Sequence, residues 1–150
     1  MYAMACTRPD LAYAVSVVSK YMANLGKQYW DAVKWIFRYF KGITDYGITF
    51  VRQKSDLSVV GYVDADYAGG LDDRRSTTGY VFTHTGGSIC WRSMIQPTVA
   101  MSTTEVEYMA AVEVAKEALW LTGLVRELGI QQVGVLLYCD SQSAIYLTKN

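Results

Sequence analysis

The 150-residue chain is 51% hydrophobic with only two prolines, which is enough apolar side chain for a buried core and excludes a disordered tail. No apolar run approaches the roughly 18 residues of a membrane span, and the start Met1-Tyr-Ala-Met-Ala-Cys-Thr-Arg8 lacks the charged head and apolar centre of a secretory signal. An intracellular protein, cytoplasmic or nuclear, is therefore expected. The formal net charge of zero conceals a division, because residues 1–54 hold eight Lys/Arg against three Asp/Glu and residues 55–150 hold six against eleven. The first part suits a polyanion and the second collects cations.

Helical signals come first. Pro9 and Asp10 open a run through Leu11, Ala14, Val15, Val18 and Met22, with Thr7 as the expected cap and Asn24-Leu25-Gly26 as the stop. A second helix is predicted over 27–41, ended by Gly42. It carries an apolar stripe of Trp30, Val33, Phe37 and Phe40, and a separate basic row of Lys27, Lys34, Arg38 and Lys41 that suits a phosphate backbone. The period then becomes extended. Strands are predicted at 46–51 and 57–63, separated by the polar stretch 52–56, which marks a domain boundary near residue 54. A turn-rich segment, 69–78, leads to strands at 79–84 and 88–92 joined by a tight hairpin at Thr85-Gly86-Gly87. The longest helix is predicted over 104–128, then a buried strand over 133–139 and a last helix from Ser141 to Leu147. That order gives an α/β fold with a mixed sheet, antiparallel hairpin strands plus a parallel strand, preceded by a two-helix segment.

Three carboxylates stand at element ends. They are Asp64 in Gly61-Tyr-Val-Asp-Ala-Asp66, Glu107 near the start of the long helix, and Asp140 after the last strand. Helical steps from Glu107 reach Ala111, Val114, Ala118, Leu121 and Val125, so Glu107 heads the apolar stripe, while Glu105 lies on another azimuth. Each acid also has an ordinary structural role open to it. Thr104-x-x-Glu107 and Ser102-x-x-Glu105 both read as capping boxes, Asp64 reads as a strand-end turn residue, and Asp140 reads as a cap for the last helix. Taken together, three acids brought to one place make an oxygen-rich pocket suited to Mg²⁺, with Mn²⁺ as substitute. Cys6, Cys90 and Cys139 have no metal-ligand spacing, and with the lone His84 they read as reduced thiols rather than a zinc site.

Several long segments carry a family resemblance. Gly61-Tyr-Val-Asp-Ala-Asp-Tyr-Ala-Gly69, Arg74-Arg-Ser-Thr-Thr-Gly-Tyr-Val-Phe82, Ser102-Thr-Thr-Glu-Val-Glu-Tyr-Met-Ala-Ala111 and Cys139-Asp-Ser-Gln-Ser-Ala-Ile145 resemble the ribonuclease H domain of copia-type retrotransposon Pol polyproteins. Upstream, Cys6-Thr-Arg-Pro-Asp-Leu-Ala-Tyr13 and Trp30-Asp-Ala-Val-Lys-Trp-Ile-Phe-Arg-Tyr39 resemble the segment joining reverse transcriptase to that domain. The resemblance implies a helical reverse transcriptase or connection end over 1–54 and a ribonuclease H-like domain over 55–150. It implies Asp64, Glu107 and Asp140 as the catalytic, metal-binding set. It also implies hydrolysis of the RNA strand of an RNA/DNA hybrid with two Mg²⁺ ions roughly 4 Å apart. Hybrid contacts are expected from Arg74, Arg75, Ser141, Gln142, Lys34 and Arg38, with selectivity from the 2′-hydroxyl and groove shape. The reverse transcriptase portion of the same polyprotein is the expected protein partner.

The sequence departs from that family in three ways. The family domain continues to a further strand, a helix and a fourth acid beyond position 150, Met94 stands where a lysine is usual, and Leu25 stands where a proline is common. Two other readings therefore stay open. One is an inactive copy that still binds nucleic acid, and the other is a small protein-interaction module whose acids are only caps.

Overall fold

The computed structural model describes residues 7–23, 26–50, 58–70 and 73–149. The chain forms two compact units, Met1–Gly47 and Ile48–Asn150. The boundary expected near residue 54 falls outside the described residues.

The first unit holds α1 (Pro9–Ser19) and α2 (Lys27–Gly42). Proline at the first helical position presets the backbone where no amide partner is needed. The N-cap position is Arg8, without a side-chain capping bond, and not Thr7 as expected. Arg8 instead pairs with Asp10 at 2.7 Å and lies 5.2 Å from the centre of the Phe40 ring, while Tyr21 stacks on Tyr29 at 4.4 Å. No residue of α2 is buried, because a pair of short helices is too small to enclose the stripe of Trp30, Val33, Phe37 and Phe40.

The second unit is a mixed sheet under a long helix. Strands β1 (Val59–Asp66), β2 (Thr77–His84), β3 (Gly87–Ile95) and β4 (Leu136–Cys139) lie in the order β3-β2-β1-β4. The first three form an antiparallel meander, and β4 joins β1 in parallel after the crossover through α3 (Thr103–Glu127). A short helix, α4 (Gln142–Leu147), follows β4. The hairpin loop is only Thr85-Gly86, both at positive φ (49° and 79°), the backbone that a two-residue turn between twisted strands demands.

Alternation along the strands decides where the core lies. Val59, Val63, Tyr80 and Phe82 face α3, which buries Ala110, Val114, Ala118, Leu121 and Val125 against the sheet, with Val106 also buried near its start. The apolar stripe expected of the long helix is thus the buried one, shifted so that Val106 leads it. Each such side chain removed from water contributes about 1.5–3 kcal/mol at the large end of the series.

Two expected strands differ from what forms. Residues 46–50 take no strand, and Tyr46, Ile48 and Phe50 are exposed, because alternation without a ladder partner cannot satisfy the backbone. Val51 lies outside the described residues. The strand expected over 133–139 is not buried as expected, because Leu136 and Tyr138 are exposed on its outer face, and it begins only at Leu136. The reason for the late start is Gln132, whose amide accepts the Val59 N–H at 2.8 Å and donates to the Val59 carbonyl at 2.9 Å, doing with a side chain what a strand residue would do. No described helix is long and apolar enough to cross a membrane.

Candidate functional site

The parallel pairing of β1 with β4 builds the site. Val63 lies opposite Cys139, so Asp64 and Asp140 are the next residues on neighbouring strands. Asp64 belongs to the body of β1, opposite Gly79, rather than to its end, and the turn residues are Tyr67 and Ala68. From above, the start of α3 brings Glu107 to the same end of the sheet.

The capping roles open to these acids are filled by their neighbours. Ser102 is the N-cap of α3 and its hydroxyl accepts the Glu105 N–H at 3.2 Å, while Glu105 Oε2 accepts the Met101 N–H at 2.8 Å. Glu107 sits in the second turn, past the cap. At α4 the cap is Ser141, whose hydroxyl accepts the Ala144 N–H at 3.3 Å, and not Asp140.

Glu107, Asp140 and Cys139 each offer a ligand atom, and these atoms lie within 4.8 Å of one another. Asp64 stands beside this group rather than within it, with Oδ1 accepting the N–H of Ala65 at 2.9 Å. Its charge still reaches the others. Burial, then Asp140, then Asp64 raise the Glu107 pKa, while the Ala65 N–H draws it down. Glu107 Oε2 is shielded from water and has no hydrogen-bond partner. A shielded carboxylate oxygen beside two further negative groups is costly unless a cation compensates it.

Cys139 was not expected here, since cysteine spacing along the sequence gives no sign of it. The signal lies in its position directly before Asp140. Burial above all raises the Cys139 pKa, the Ser141 backbone N–H opposes it, and Glu107, Asp140 and Asp64 add to the rise. Glu107 and Asp140 offer hard carboxylate oxygens, the preference of Mg²⁺ and Mn²⁺, whereas the Cys139 sulfur is a soft donor that suits neither ion.

The expected nucleic-acid contacts lie on exposed segments. Arg74 has a left-handed backbone (φ 54°), and Arg75 lies 3.8 Å from the Asp73 carboxylate. Gln142 is exposed at the start of α4, and the Ser141 hydroxyl is engaged as its cap. In the other unit Lys34 pairs with Asp31 at 3.0 Å, and Arg38 lies 5.1 Å from the centre of the Trp35 ring.

Known proteins place this arrangement in a lineage. The chain is 55% identical over its full length to the retrovirus-related Pol polyprotein from transposon TNT 1-94 of Nicotiana tabacum, and 41% identical over 98% of its length to that from transposon RE2 of Arabidopsis thaliana. It spans 11% and 10% of those two proteins. It is also 48% identical, over 81% of its own length and 85% of the relative's, to secreted RxLR effector protein 161 of Plasmopara viticola. No protein-family model and no solved structure matches it. The chain is a homologue of one segment of the retrovirus-related Pol polyproteins of copia-type transposons.

Proposed function

We propose that this chain is the ribonuclease H-type segment of a copia-type Pol polyprotein and hydrolyses the RNA strand of RNA/DNA hybrids. Asp64, Glu107 and Asp140 hold Mg²⁺ in this reading. The observation that carries it is the shielded, unpartnered Oε2 of Glu107 beside Asp140, in a place where Glu105 and Ser141 already do the capping. The meander β1-β2-β3, followed by a helix and a strand parallel to β1, agrees with the sheet that the motif resemblance implies.

Bound divalent cation would supply an activated water at neutral pH and neutralise charge developing on the phosphate. The chain's own residues position that chemistry. Asp140 and Asp64 are set level by the β1/β4 register, and Glu107 is held over them by the buried face of α3. Arg74, Arg75 and Gln142 would supply phosphate and sugar contacts in this unit, and in the first unit Lys34 and Arg38 of α2 are the residues suited to phosphate.

The test is cleavage of an end-labelled RNA/DNA hybrid by purified chain in Mg²⁺, beside DNA duplex and the Asp64→Asn variant. RNA-strand cleavage that requires both Mg²⁺ and Asp64, with the DNA duplex left intact, is the expected result. Salt-sensitive hybrid binding without any Asp64-dependent cleavage would instead identify an inactive binding copy.

A further inference from the structure

We propose that Gln96 is a positioning residue that sets Glu107 over the sheet, a role that rests on the metal-site reading above. Gln96 follows β3 and is 3% exposed. Its backbone N–H donates to the Ser76 carbonyl at 2.8 Å, which continues the β2/β3 ladder one step past Thr77 and Ile95. The side-chain amide bridges two elements, with Nε2 donating to Thr78 Oγ1 of β2 at 2.9 Å and to the Val106 carbonyl of α3 at 3.0 Å.

Both anchors adjoin the acids. Val106 is fully buried and directly precedes Glu107. Thr78 is the register partner of Ala65, whose N–H binds Asp64 and draws down the Glu107 pKa. One planar amide therefore ties the first turns of α3 to the strand beside the carboxylates and fixes the height and azimuth from which Glu107 leaves the helix.

Stability alone does not account for this residue. The Gln96 Oε1 atom is buried without a partner, a desolvation cost that an apolar side chain of similar size would avoid. What an apolar side chain cannot supply is the pair of directed donors.

The experiment is Mn²⁺ titration calorimetry on the full chain as wild type, Gln96→Leu, Val125→Ala and Asp64→Asn. Val125 is buried at the far end of α3, so its truncation controls for loss of stability alone. Loss of a residue that orients a ligand typically weakens metal affinity about 10–100-fold, and Gln96→Leu is expected in that range while Val125→Ala keeps wild-type affinity. Wild-type affinity in a folded Gln96→Leu chain overturns the positioning role. If near-UV circular dichroism shows that Gln96→Leu does not fold, Thr78→Val removes one anchor at constant shape, and it too must weaken Mn²⁺ binding or the role is overturned. A wild type that binds no Mn²⁺, or an Asp64→Asn variant that binds it equally, removes the metal-site reading itself and the positioning role with it.

Discussion

Val63 of β1 and Cys139 of β4 are partners in parallel register, and each is followed by an aspartate. This one pairing carries Asp64 and Asp140, far apart in the chain, to the same level of the sheet. It leaves Glu107, from the helix that crosses between those strands, as the third acid over them.

Glu105 and Glu107 are expected to behave oppositely. Glu105→Gln keeps an acceptor for the Met101 N–H, so it is expected to cost at most about 1 kcal/mol and leave the response to Mn²⁺ intact. Glu107→Gln is expected to abolish that response, and, by relieving repulsion, to leave metal-free stability unchanged or higher. Melting temperatures with and without Mn²⁺ decide this, and the reverse pattern would make Glu105 the ligand.

The pH dependence follows from the raised pKa of Glu107. Burial, Asp140 and Asp64 hold it above its ordinary 4.5, so between that pH and the raised value the folded chain binds more protons than the unfolded one. Metal-free stability from this group is therefore full below about pH 4.5 and falls as pH rises through the native pKa. Denaturant melts across that interval should show the fall, and Glu107→Gln should flatten it. Metal affinity runs the other way and strengthens as pH rises, because a cation needs the ionised carboxylate. A wild-type slope that survives in the variant would assign it to other groups.

Gly61 cannot carry a side chain. A Cβ there would stand 2.5 Å from Leu137 Cδ2, which packs against the core, and 2.6 Å from the ring of Phe82 within it. Gly61→Ala is expected to cost about 1–3 kcal/mol through overpacking and, by shifting β4, to weaken the site as well. Equal stability in urea titrations of the two chains would show that β4 yields freely.

Cys90 is expected to resist alkylation in the native chain. Burial and its hydrogen bond to Glu117 at 3.4 Å push the thiol up to about 11, so little thiolate exists at pH 8. Iodoacetamide labelling followed by mass spectrometry should find Cys90 slow in the wild type and faster in Glu117→Gln. Rapid labelling of the native wild type contradicts this placement.

The elements that were legible in the sequence are those with a long period or a strong stop. The α3 stripe from Val114 to Val125 and the Thr85-Gly86 hairpin follow from spacing, whereas Asp64, expected at a strand end, lies within β1. What was not legible depends on partners distant in sequence. Residues 46–50 alternate like a strand but find no ladder, and Gln132 replaces the start of β4 with its own amide. Which glutamate caps α3 was open in the sequence, since two overlapping capping boxes compete, and the bonds accepted by Ser102 and by Glu105 settle it. Cys139 and Gln96 enter the site through register and tertiary hydrogen bonds, which no local pattern announces.

Asp64 stands beside the Glu107, Cys139 and Asp140 group and must turn toward it to complete the site. The decisive measurement is the melting temperature of wild type and Asp64→Asn across a Mn²⁺ series. Binding to the native state alone stabilises by RT ln(1 + [L]/Kd), about 2.7 kcal/mol at a hundredfold excess over Kd. A rise in the wild type that Asp64→Asn abolishes is the predicted result, and an equal rise in both chains would contradict the three-carboxylate site.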